Sequence, residues 1–196
     1  MKNLKLATAL LVIIFTSFGF HAFAGEHIFQ PKLGVVDWSD NDNHRIKGNG
    51  FNLDSNSTFS GGFMYLYRLD NGFAFGAEHF SYTKDYTHTN GRTGEMDTTQ
   101  AYLLAEYYFN NAGTTKPFIG FGLGAAWSDF DGEIEQKAYG HSTQFKAGVE
   151  FEVNKRFSFS VEGKYFTLDI DEEINGERAD VKSDGTALFI GFSIKI

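Results

Sequence analysis

The chain has 196 residues, of which 17% are aromatic, and it contains 22 glycines, two prolines and no cysteine. Without cysteine it cannot be stabilised by disulfides, and the richness in aromatic residues favours an all-β fold over a helical one. The formal net charge of −8 argues against nucleic acid as a partner, because proteins that bind it need a basic surface.

The first 24 residues have the pattern of a secretory signal peptide. Lys2 and Lys5 precede an apolar run over 10–20, which is followed by Ala22-Phe23-Ala24. A basic start, a short apolar stretch and an A-x-A site direct export and cleavage, and the run is short for a membrane span of about 20 residues. We therefore expect removal of 1–24, which takes the net charge from −8 to −10, and a single domain over 25–196.

Apolar and polar residues alternate in eight stretches of strand length: about 28–37, 58–69, 73–83, 98–109, 117–127, 141–152, 157–167 and 186–196. In "FSFSVEGKYF", for example, Phe159 and Val161 share one face, while Ser160 and Glu162 share the other. A period of two over roughly 9–11 residues is typical of a transmembrane β-strand. No stretch beyond residue 24 has the 3.6-residue apolar period of an amphipathic helix.

Short and long connections alternate between these strands. "DNG" at 70–72 predicts a tight hairpin turn, because glycine after asparagine accepts a positive φ, and "NAGTTK" and "NKR" are also short. The long connections are about 38–57, 84–97, 128–140 and 168–185, and together with Asp37 they hold 18 of the 25 acidic residues. This pattern predicts an all-β fold, an eight-stranded antiparallel up-and-down transmembrane β-barrel with acidic outer loops and periplasmic termini.

Charged residues of both signs recur on the less apolar strand faces: Arg68, Glu78, Glu106, Lys146, Glu150, Glu162 and Lys164. Side chains about fill the interior of an eight-stranded barrel, so these charges are expected to pair there. A soluble barrel would instead carry them on its surface, and alternation alone does not separate the two cases.

Aromatic residues favour the membrane alternative, because they concentrate near the strand ends, as in the two girdles of a membrane barrel. Those expected at the outer ends are Trp38, Trp127, Tyr82 and Phe130, and those expected at the inner ends are Phe73, Phe109, Phe118 and Phe157.

The last stretch, "ALFIGFSIKI", has an apolar stripe made of Leu188, Ile190, Phe192, Ile194 and Ile196. Such a stripe would be an aggregation hazard in water, so we expect it to face lipid. The strand is predicted to close the barrel against 28–37 and to be recognised by the barrel-assembly machinery.

Two segments, "KPFIGFGLGAAW" and "FKAGVEFEVNKRFSFSVEGKYF", resemble the opacity-type, OmpA/OmpX-like family of outer-membrane barrels. The chain departs from that family at Ile196, where members usually have Phe. The resemblance implies location in the outer membrane of a Gram-negative cell, interactions made by the loops, and no shared catalytic residues.

We therefore expect a monomeric, non-enzymatic protein that contacts outer-membrane lipid and lipopolysaccharide and carries no cofactor or metal. Its acidic loops would serve surface interaction, adhesion or envelope integrity, with a possible extracellular partner. The alternatives are a small porin-like channel and a lipid A-modifying enzyme.

The enzymatic alternative depends on His79 and Ser81, which share one strand face and resemble the catalytic pair of outer-membrane lipid A deacylases. Nucleophilic catalysis would require His79 to take the proton of Ser81 and a carboxylate to orient His79. No Glu occupies the expected place on the following strand. The other interpretation is a His and a Ser at the outer membrane interface.

Two further motifs have structural explanations. "GFGLGA" at 120–125 matches a dinucleotide-binding pattern, but no helix follows it, so we interpret its glycines as making room inside a narrow barrel. The acidic stretches "DFDGEIE" and "DIDEEINGE" could bind calcium weakly, although neither fits an EF-hand loop. A solvated acidic surface is the favoured interpretation of both stretches.

Overall fold

The computed structural model describes residues 25–38, 44–46, 49–53, 57–88, 91, 93–110, 112–131, 136–174 and 177–196. The predicted signal peptide over 1–24 lies outside the described residues. The strands are β1 (Gly25–Trp38), β2 (His44–Ile46), β3 (Asn49–Leu53), β4 (Thr58–Leu69), β5 (Phe73–His88), β6 (Thr93–Tyr108), β7 (Thr115–Asp131), β8 (Gln136–Glu152), β9 (Phe157–Ile174) and β10 (Glu177–Lys195). Within the described residues, no helix is long and apolar enough to cross a membrane.

Eight of these strands close into an antiparallel barrel, in which β1, β4, β5, β6, β7, β8, β9 and β10 follow one another around the ring. The last strand returns to the first, and their register runs from Ile28 opposite Lys195 to Trp38 opposite Gly185. The prediction that the C-terminal stretch closes the barrel is confirmed. Each of these eight described strands is therefore paired on both sides, as the interior of a bilayer requires.

Three of the predicted long loops are largely strand. The register of β5 and β6 continues to Thr87 opposite Thr93, and that of β6 and β7 to Glu95 opposite Asp131. The connection predicted at 168–185 is mostly the paired ends of β9 and β10. Sequence alternation missed these extensions because polar residues lie on both of their faces, whereas backbone pairing does not depend on side-chain polarity.

The fourth predicted loop, 38–57, contains the hairpin of β2 and β3. β2 pairs with β10 at Ala179 and Asp180, and β3 pairs with β5 between Tyr86 and His88. In the barrel, β1 and β4 lie between β10 and β5. β1 ends at Trp38, and β4 begins at Thr58. The hairpin therefore takes their place at this end of the barrel, and the wall continues as a closed ring.

The two faces of the wall have opposite character, as the alternation predicted. Leu33, Phe145 and Ile190 point outward and are 59%, 60% and 62% exposed. Arg68, on the inner face, is 1% exposed. A continuous apolar exterior around a charged interior is the reverse of a soluble barrel, so the outer face is a lipid-facing surface.

The prediction of two aromatic girdles is correct for only half of its residues. Trp127, Phe73, Phe109 and Phe157 face outward with 37% or more of their surface exposed. Trp38, Tyr82, Phe130 and Phe118 are at most 5% exposed because their strand parity points them into the barrel. Position near a strand end was therefore a poor guide, whereas the period of two was a good one.

Candidate functional site

The centre of the lumen holds three lysines and three glutamates: Lys32, Lys146, Lys164, Glu78, Glu106 and Glu162, here called the central charge cluster. Glu78 contacts all three lysines. One of its carboxylate oxygens lies 2.8 Å from Lys32 Nζ and is also bonded to Lys164. Its other oxygen lies 3.5 Å from Lys146 Nζ and accepts a bond of 3.0 Å from Gln144 Nε2. The cluster contains three positive and three negative side chains, so its net charge is zero.

A second set lies nearer the periplasmic end: Arg68, Lys116, Lys195, Glu26, Glu150 and Glu152, here called the periplasmic charge cluster. Arg68 donates through Nη1 to Glu150 at 3.0 Å and through Nε to Glu26 at 2.7 Å. Its guanidinium also lies 4.4 Å from the ring centroid of Tyr108, whose hydroxyl donates to Glu106. Tyr108 thus joins the two clusters, and the second is also neutral.

An aromatic layer covers the central charge cluster on the extracellular side. Trp38, Phe80, Tyr82, Phe166 and Phe189 form it, and its ring centroids include pairs 5.2 Å apart for Trp38 with Phe166 and 5.4 Å apart for Phe80 with Phe189. Lys164 Nζ lies 4.8 Å from the centroids of both Phe80 and Phe189. Cation–π contacts of this kind attach the apolar layer to the charges beneath it.

These layers exclude solvent from the middle of the lumen. The side chains of Lys32, Glu78 and Lys146 have 0% exposure, so solvent does not reach this level of the barrel. All seven charges predicted to point inward do so and form ion pairs. The sequence prediction missed Lys32, although its alternation with Leu33 and Pro31 places it on the polar face.

The glycines of "GFGLGA" have the packing role that the sequence predicted. A Cβ at Gly120 would lie 3.0 Å from the side chains of Glu106 and Lys146, and one at Gly124 would lie 2.1 Å from the carbonyl oxygen of Ala101. The motif lies within β7.

His79 and Ser81 lie on the lipid-facing side of β5, and both are exposed. The Ser81 hydroxyl shares a hydrogen bond of 2.7 Å with Thr99 Oγ1. The ring of His79 lies beside that of Phe63, with the two centroids 6.5 Å apart. Among the described residues, the ring of His79 forms no hydrogen bond, so no carboxylate there orients it. The arrangement lacks the contacts that would activate Ser81.

Acidic side chains line the outer face of the barrel at its extracellular end. Asp85 is opposite Glu95, which is opposite Asp131, and Asp97 is opposite Asp129 on the same three strands. Lys137 Nζ lies 3.0 Å from Asp129. Among the described residues, no group of three or more acidic or histidine side chains is arranged to hold a metal ion. Much of both predicted calcium stretches lies outside the described side chains.

Tyr86 lies behind this acidic surface, on the inner face of β5 beyond the apolar belt. Its hydroxyl donates to the carbonyl oxygen of Asp131 at 3.0 Å. Burial, and then the negative charge of Asp131, raise the pKa of Tyr86 above its usual value. The tyrosine therefore stays neutral and ties β5 to the end of β7.

The lipid-facing exterior and the ion-paired lumen define the protein as a transmembrane β-barrel. The model of the outer membrane protein β-barrel domain family matches residues 8–194, and the chain belongs to that family. Membership implies location in the outer membrane of Gram-negative bacteria and agrees with the resemblance found in the sequence.

Three solved structures are similar in fold. Neisserial surface protein A has a TM-score of 0.66 at 14% identity, covering 88% of this chain and 100% of that one. OprG of Pseudomonas aeruginosa has a TM-score of 0.64 at 17% identity, covering 89% and 97%. Ail of Yersinia pestis, bound to the heparin analogue sucrose octasulfate, has a TM-score of 0.57 at 11% identity, covering 88% and 99%. No curated protein matches the sequence.

Proposed function

We propose that the protein is a monomeric, non-enzymatic surface protein whose acidic extracellular end binds positively charged partners in adhesion or in maintaining the envelope. The observation that carries this proposal is the acidic ladder, defined as Asp85, Glu95, Asp97, Asp129 and Asp131 on three neighbouring strands. Five carboxylates close to one another favour a cationic partner through electrostatic steering.

The charge of this surface also bears on the type of ligand. Ail was solved with a polyanionic heparin analogue. The acidic ladder would repel such a polyanion, so we infer that this protein differs from Ail in the charge of what it binds. The acyl chains of lipopolysaccharide would surround the apolar outer face of the barrel. The barrel-assembly machinery would recognise β10 during insertion.

A porin-like channel is the less favoured alternative, because ions would have to cross two paired charge clusters and an aromatic layer. Planar-bilayer recordings should therefore show no stable conductance. Steady channels from the purified protein would favour the pore.

A lipid A-modifying enzyme is also less favoured, because Ser81 is bonded to Thr99 and His79 has no carboxylate partner in the described part of the chain. The mass of lipid A from cells that overproduce the protein should equal that from cells producing Ser81→Ala. A lost acyl chain seen only with the unsubstituted protein would indicate catalysis.

The surface role can be tested on cells that display the protein. The triple variant Asp97→Asn, Asp129→Asn, Asp131→Asn removes three negative charges, and we expect it to reduce retention on polylysine-coated beads at low salt. The matched control replaces the same three residues with Glu and keeps the charge. Equal retention by the neutral variant and by the Glu control would contradict an electrostatic role for the ladder.

A further inference from the structure

The turn between β8 and β9 differs in charge from the other two periplasmic turns. It contains Lys155 and Arg156, whereas the turn after β4 contains Asp70 and the turn after β6 has no charged residue among 109–114. Both basic side chains are exposed, and neither forms an ion pair with any carboxylate that the structure describes. The nearby cations of the lumen, Lys116 and Lys195, instead form ion pairs with Glu152.

The backbone of this turn is held in place. The Asn154 side chain accepts hydrogen bonds from the backbone N–H groups of Arg156 at 2.8 Å and Phe157 at 3.0 Å. The Arg156 carbonyl in turn accepts a bond of 2.8 Å from the N–H of Lys195 on the last strand. The two basic side chains therefore project from a fixed base next to β10.

A cavity of about 760 Å³ opens at the rim beside the turn and joins the basic residues to the apolar belt. Lys155, Arg156, Phe157 and Ile194 line it, together with Gly25, Ile196 and two residues that are ion-paired within the lumen, Glu26 with Arg68 and Lys195 with Glu150. Phe157 and Ile194 are 37% and 39% exposed on the lipid-facing side, where Phe157 stacks on Phe192 with centroids 5.5 Å apart. The cavity thus has a cationic part at the level of the headgroups and an apolar part that continues into the bilayer.

We propose that this rim cavity binds an anionic glycerophospholipid of the inner leaflet. The phosphate group would lie against Lys155 and Arg156, and an acyl chain would run along Phe157, Phe192 and Ile194. Basic pockets at a membrane surface recognise anionic headgroups in this way, and long basic side chains reach the headgroup level while their stems stay in apolar surroundings. This site lies at the opposite end of the barrel from the acidic ladder and does not depend on it.

The test uses the mature chain, residues 25–196, folded in detergent micelles with equimolar phosphatidylglycerol and phosphatidylethanolamine. Native mass spectrometry then counts the lipids that the protein retains. We expect the protein to retain phosphatidylglycerol preferentially and to lose that preference as salt is raised. The double variant Lys155→Ala, Arg156→Ala should reduce the preference about thirtyfold, or about fivefold for each basic residue.

The matched control is Lys137→Ala, Lys182→Ala, which removes two exposed positive charges near the extracellular end and should leave the preference unchanged. Equal loss in the two double variants would overturn the site in favour of net charge alone. An unsubstituted protein without a preference for phosphatidylglycerol would overturn it whether or not the variants fold. Both outcomes are independent of bead retention by cells, so this inference and the proposed surface role fail separately.

Discussion

Replacing Glu78 by Gln should strongly destabilise the barrel, because it removes one of the buried charges of the lumen. Glu78 contacts three lysines, with Nζ of Lys32 at 2.8 Å, that of Lys146 at 3.5 Å and that of Lys164 closer still. The variant would leave three lysines facing two glutamates, all shielded from solvent.

The magnitude follows from the contacts. At an effective dielectric constant of about 20, a pair of unit charges 4 Å apart is worth about 4 kcal/mol before desolvation is subtracted. Breaking a buried pair by removing one partner costs about 3–5 kcal/mol, because the remaining charge keeps its desolvation penalty. We expect a loss in this range.

Urea unfolding of the protein in lipid vesicles measures this loss. Unfolding is followed by the fluorescence of the two tryptophans, Trp38 in the aromatic layer and Trp127 on the lipid-facing side. The double variant Glu78→Gln, Lys164→Met restores neutrality and should recover much of the stability. Glu95→Gln makes the same chemical change on the exposed acidic ladder and should stay within about 0.5 kcal/mol of the unsubstituted protein. If Glu78→Gln also unfolds within 0.5 kcal/mol of the unsubstituted protein, or the double variant is no more stable than the single one, the ion-pair argument is refuted.

Three further predictions concern the wall. Val161→Arg, on the lipid face of β9, should cost about 2–4 kcal/mol in the same assay, whereas Val153→Arg at the periplasmic turn should cost at most about 1 kcal/mol; equal costs would mean that the belt is misplaced. Gly124→Ala places a Cβ 2.1 Å from the Ala101 carbonyl oxygen and should cost about 1–3 kcal/mol, while Gly163→Ala meets nothing within 4 Å and should be neutral; the opposite order would contradict the packing. Deleting 192–196 removes the periplasmic end of the ladders that β10 forms with β9 and β1 and should abolish the folded, heat-modifiable band on gels, whereas deleting 172–176 should leave it. A folded band from the shorter chain would show that β10 does not close the barrel.

The sequence alone determined which residues face lipid and which face the lumen. A strand alternates its side chains with a period of two, so the position of one residue such as Phe159 fixes the faces of Ser160, Val161 and Glu162. The same rule placed the predicted charges inside, because lipid excludes them and an eight-stranded lumen is narrow. The even number of strands and the apolar last strand sufficed to predict closure.

Only the tertiary structure decided which charges meet and how far the wall extends. Lys32 on β1 contacts Glu162 on β9 because the stagger between strands, which alternation does not encode, sets the level at which each side chain enters the lumen. The burial of Trp38 and the place of the β2–β3 hairpin above β1 and β4 depend on the same long-range register. A period of two gives the direction of each side chain, and only the pairing of distant strands gives its neighbours.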